Sequence, residues 1–119
     1  MRNDPRFELG CKAFDDGDYF EAHETWEEIW MEATGPLHAY LQGLIQVAVA
    51  LHHASRGNFR GTRKLFASAL DYLERGAGAA ETVDLTLLKE KVLDFELALQ
   101  KRDSGEQVDL PFFDLPRRL

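Results

Sequence analysis

The sequence has one cysteine, Cys11, in 119 residues. A single thiol excludes an intrachain disulfide framework and a cysteine-built zinc site, and it fits a reducing compartment. Long apolar runs are also missing. The most apolar segment, residues 44–51, is interrupted by Gln46 and falls far short of the roughly 20 residues that span a bilayer. The N-terminal "MRNDPRFELG" lacks the apolar core of a secretory signal, so the expected location is cytoplasmic. Positive charge is scarce as well. Lysine and arginine number 14 against 21 aspartates and glutamates, a formal net charge of -7. Nucleic acid and anionic membrane would repel such a chain at long range, so neither is an expected partner. A small molecule, a protein partner and a second copy in a homodimer stay open.

What is present is helical. Asp4 before Pro5 reads as an N-cap with proline in the first turn, and Phe7, Gly10, Cys11 and Phe14 follow at spacings of three and four. Gly17 supplies a stop. Asp18 with Glu21 three residues on has the capping-box pattern, and Tyr19, Ala22, Trp26, Ile29, Trp30 and Ala33 form one apolar stripe. A third helix is apolar or small around nearly its whole circumference, as expected of a central one. Asn58 opens a fourth helix with Phe66, Ala69, Leu70 and Leu73 inward, and Asp84 opens a fifth with Leu88, Val92, Phe95 and Leu99. Prolines in "VDLPFFDLPRRL" rule out a long helix there, and Phe112, Phe113 and Leu115 are costly to leave in water.

The fold class expected is all-α. One domain over residues 1–119 forms a bundle of about five helices (4–16, 18–34, 36–56, 58–76 and 84–102), with an extended tail over 106–119. "GDYFEA" and "GNFRGT" recur forty positions apart, pairing Trp26 with Phe66 and Trp30 with Leu70. The bundle therefore reads as two similar helical hairpins.

Polar residues mark the candidate site. "EAHETWEEIW" approaches the zinc-protease pattern H-E-x-x-H, but Glu27 stands where the second histidine belongs. On a helical wheel His23 and Glu27 lie beside Trp30 and Phe20, toward the core or its margin, with Glu24 at the boundary. Gln42, Gln46 and His53 line one face of the third helix at spacings of four and seven. Antiparallel neighbours would bring the two strips together as a ligand-binding group: His23, Glu24, Glu27, Gln42, Gln46 and His53. Four readings follow. The groups satisfy one another as a structural network; they hold a small molecule; His23, Glu27 and His53 ligate a divalent metal, with Glu24 as general base of a hydrolytic enzyme; or they lie at the surface without a shared role. The first function expected is a noncatalytic binding or scaffolding module, the alternative that metal-dependent enzyme. Arg56, Arg60, Arg63 and Lys64 suit an anion at a helix start, though Arg60 and Lys64 read as a solvated outer face. His38 has no evident partner, and Cys11 reads as a small core residue. No serine sits on a sharp turn beside a histidine, so a nucleophilic triad is not expected.

"FDDGDYFEAHETWEEIW" followed by "LQGLIQVAVALHHASRGNFRGTRKLF" resembles the family catalogued as domain of unknown function 309. Its signature pairs A-H-E-x-W-E with Q-G-x-x-Q and H-x-x-x-G-N, met here by Ala22, His23, Glu24, Trp26 and Glu27, then Gln42, Gly43, Gln46, His53, Gly57 and Asn58. The likeness covers roughly residues 7–75. It implies a small soluble all-α fold of prokaryotic type and carries no catalytic role.

Overall fold

The structure is a computed structural model that describes residues 4–80, 82–111 and 113–118. Five α-helices follow in order: α1 (Pro5–Asp15), α2 (Tyr19–Trp30), α3 (Gly35–Ser55), α4 (Phe59–Arg75) and α5 (Leu85–Asp103), with a short 3-10 turn at Ala77–Ala79. Among the described residues the only β pairing is an isolated bridge between Val83 and Arg117. The chain is all-α.

The repeat in sequence is a repeat in geometry. Gly17 and Gly57 take φ of 84° and 78°, a left-handed conformation that only glycine adopts freely. The next residues, Asp18 and Asn58, have φ/ψ of -86°/67° and -89°/74°. In both turns the glycine N–H reaches back three residues, and the following N–H reaches back five: Asp18 to the Ala13 carbonyl and Asn58 to that of His53, each at 2.8 Å. These bonds satisfy the orphan carbonyls of α1 and α3. Forty residues apart, Ala22 and Thr62 are fully buried, as are Trp26 and Phe66. The turns differ in one respect. Asn58 caps α4 by accepting from the Gly61 N–H at 3.0 Å, whereas Asp18 makes no side-chain cap. The capping box expected of Asp18 and Glu21 is not formed at the aspartate, and α2 starts on its turn and packing instead.

Helix α3 is central, packing on α4 within its own hairpin and on α2 of the other, and nine of its residues are buried. Ring packing unites the rest. Phe7, Phe14 and Trp26 stack between α1 and α2, and Phe14 meets Phe113 edge-on at 5.9 Å. Phe113 in turn touches Phe66 of α4 and Phe95 of α5. The tail is therefore an extended strap across the bundle, as its composition suggested; Phe113 and Leu115 are 2% and 3% exposed, each burial stabilising by about 1.5–3 kcal/mol. Phe112 lies outside the described residues. Backbone bonds pin the strap: the Leu115 N–H donates to Asp15 Oδ1 at 2.8 Å, and that of Asp84 to the Pro116 carbonyl at 3.0 Å.

Candidate functional site

Helices α2 and α3 run antiparallel, and two ring pairs set their register. Trp30 stacks on His38, ring centroids 4.6 Å apart at 27°, and at the other end the Phe20 ring lies 5.4 Å from that of His52. His38 thus has a partner that its sequence position did not reveal. This register puts His23 level with Gln46 and Glu27 level with Gln42 along the shared axis.

The group occupies the margin of the bundle. The inward direction of α2 is taken by Ala22, Trp26 and Ile29, and His23 and Glu27 flank it, with side chains 21% and 45% exposed. Glu24 is exposed, while Gln42, Gln46 and His53 are half-buried. His23 Nε2 lies 2.9 Å from Glu27 Oε2. A carboxylate only accepts, so Nε2 carries the hydrogen, and in the neutral ring Nδ1 is left as an acceptor. That Nδ1 is buried without a hydrogen-bond partner among the described residues, and so is Gln46 Oε1.

His53 is drawn elsewhere. The amide of Asn58 is oriented by its cap, Oδ1 accepting from Gly61. Its Nδ2 therefore donates to His53 Nδ1 at 3.3 Å, which makes Nδ1 the unprotonated nitrogen of that ring. His52 is the histidine placed beside Phe20, whose ring also lies 5.4 Å from His23. The expected trio of His23, Glu27 and His53 is not gathered: among the described residues, no group of three or more His, Cys, Asp or Glu is placed to hold a metal ion.

Other candidates resolve simply. Cys11 is buried, and burial pushes its thiol up to about 12, far from the thiolate a nucleophile needs. Arg63 pairs with Asp103 at 2.6 Å, while Arg60 and Lys64 are exposed. Gly43 of the Q-G-x-x-Q segment serves packing, since a Cβ there would come within 2.6 Å of Leu73 Cγ on α4. No described helix is long and apolar enough to cross a membrane. Sequence reasoning missed Phe20 and Met31, 50% and 68% exposed. Their eleven-residue separation, with Glu24 and Glu27 between, was a readable stripe.

Comparison with known proteins follows the same helices. The chain is 41% identical over 69 residues to the Bacillus subtilis (strain 168) protein named "Uncharacterized protein YpuF". That alignment takes in 57% of this chain and 40% of the relative, so the chain spans less than half of that protein's length. The family model described as "Domain of unknown function (DUF309)" matches residues 7–65, which reach from α1 into the first turns of α4 and contain both signature segments. Residues 7–65 of the chain are thus a DUF309 domain.

Proposed function

We propose that the protein is a noncatalytic binding module whose contact face is the seam between α2 and α3, at His23, Glu27, Gln42 and Gln46 with Glu24 on the rim. One observation carries this: among the described residues His23 Nδ1 and Gln46 Oε1 are both buried acceptors without a hydrogen-bond partner, on residues that the ring pairs put at one level of facing helices. An unmet buried polar group costs about 1–3 kcal/mol, and a cost kept at a half-exposed seam is characteristic of a site that is satisfied by its ligand. A ligand that supplies N–H donors matches two acceptors and the neighbouring carboxylates. Nδ1 is buried, so engagement requires the half-buried imidazole to rotate. The hydrolytic metal reading draws less support, because His53 is committed to Asn58.

The sign of a stability change tests the proposal. Gln46→Leu removes an unmet acceptor and should raise unfolding stability by about 1 kcal/mol. His23→Leu should raise it less, since it also forfeits the half-exposed Glu27 bond, worth about 0.3–0.5 kcal/mol. Urea unfolding of both variants is the measurement. A fall of about 1–3 kcal/mol at both positions would mean that the amide and imidazole satisfy each other as a structural network, and the binding reading would be abandoned.

A further inference from the structure

Charge is segregated along this chain. Between Lys12 and Arg56 there is no lysine or arginine, while eight aspartates and glutamates fall there, so this stretch carries -8 and the rest of the chain +1, for the net charge of -7. Much of it is surface. On α2 and its C-cap residue Met31, Phe20, Glu24, Glu27 and Met31 lie within about 60° of one direction. Phe20 and Met31 are 50% and 68% exposed, Glu24 is exposed, and the Glu27 side chain is 45% exposed. The stripe has an apolar residue at each end, roughly 16 Å apart, and carboxylates between. Among the described residues neither Glu24 nor Glu27 pairs with a lysine or arginine, unlike Glu32, which Arg6 holds at 2.8 Å.

We infer that this stripe docks a cationic amphipathic helix of a partner protein. The inference rests on the α2–α3 side being the contact face and names the class of partner. Three features select it. The carboxylates call for Lys or Arg, whose N–H groups also suit the acceptors of His23 and Gln46. The exposed Phe20 and Met31 call for apolar side chains at matching i and i+11 positions, three turns of helix apart. Desolvating two large apolar residues supplies affinity, and the charges supply rate and selectivity.

The probe is a synthetic helical peptide with leucine at i and i+11 and lysine at i+4 and i+7, beside a twin with glutamate in place of lysine. Calorimetry on the full chain should show the lysine peptide binding at least about 10-fold tighter than its twin, with the margin shrinking as salt rises. Reversing both Glu24→Lys and Glu27→Lys should weaken the lysine peptide at least about 10-fold, and Phe20→Ser with Met31→Ser about 5-fold or more. Reversing Glu74→Lys and Glu90→Lys, exposed on α4 and α5, makes the same net-charge change and should cost less than about 2-fold. Circular dichroism confirms that each variant is folded. Equal binding of the twins overturns the inference, and so does an equal loss in the Glu74/Glu90 control. It is overturned too if the protein alone forms a dimer that Phe20→Ser dissociates, for then the stripe meets a second copy. His23→Leu and Gln46→Leu separate the two readings. If the peptide discriminates the stripe variants but ignores both of these, the docking face stands and the polar seam is not part of it.

Discussion

The two hairpins share a backbone and oppose each other in charge. Their turns agree within a few degrees at Asp18 and Asn58, and the buried residues of α2 and α4 fall at equivalent positions. Yet α2 carries four glutamates and no lysine or arginine, while α4 carries Arg60, Arg63, Lys64 and Arg75 against Asp71 and Glu74. Backbone build depends on a glycine at positive φ and on apolar period, terms that tolerate few alternatives. Exposed charges change stability by only fractions of a kcal/mol and are free to follow function. The difference between the hairpins therefore points to α2 as the helix with a surface task.

The comparison breaks most readily where the hairpins are closest. Gly10 and Ala50 occupy equivalent steps, Gly10 beneath the Trp26 indole and Ala50 accepting the Thr62 hydroxyl at 2.9 Å. A Cβ at Gly10 would stand 2.8 Å from indole Cε2 and closer to Cδ1, and Trp26 is fully buried. Gly10→Ala should therefore destabilise by about 1–3 kcal/mol despite the better helix former. Ala50→Gly should cost about 1 kcal/mol. Denaturant midpoints measure both, and a neutral Gly10→Ala would show that the α1–α2 contact is looser than its counterpart.

The caps sharpen the contrast at smaller scale. Asn58→Ala should cost about 1 kcal/mol, and Asp18→Ala only a few tenths, because Asp18 makes no cap bond. Equal losses at the two positions would restore the symmetry expected from sequence. The smallest effect is acid-dependent. Arg6 holds the carboxyls of Asp4 and Glu32 below their ordinary values, chiefly by side-chain hydrogen bonds. Depressed carboxyl values give stability that is present above the unfolded range near 4 and lost as pH falls through the folded values. The gap between the native chain and Arg6→Met should therefore be widest at neutral pH and close below about pH 4. A gap independent of pH would mean that Arg6 acts through packing.

How much was legible in advance differs from residue to residue. The glycine turns and the buried faces of α4 and α5 are local or periodic, so counting found them. The strap was legible from Phe113 and Leu115, whose exposure would be costly wherever they lay. The site was read less well. On the wheel alone His53 shares a face with Gln46, but Asn58, five residues on, takes its Nδ1. The Trp30 stack on His38 depended on the crossing of two helices, which no single helix encodes.

By itself the sequence determined the helical class, the repeated hairpin and the acidity of α2, because turn conformation, apolar period and net charge are properties of neighbours along a chain. Only the tertiary structure decided which polar atoms end without a partner, which histidine meets Phe20, and that Glu27 lies at a half-exposed margin. Those outcomes depend on the register and angle at which α2 crosses α3. Packing of the whole core sets that angle, and side-chain hydrogen bonds, which reach only about 3 Å, then form or fail accordingly.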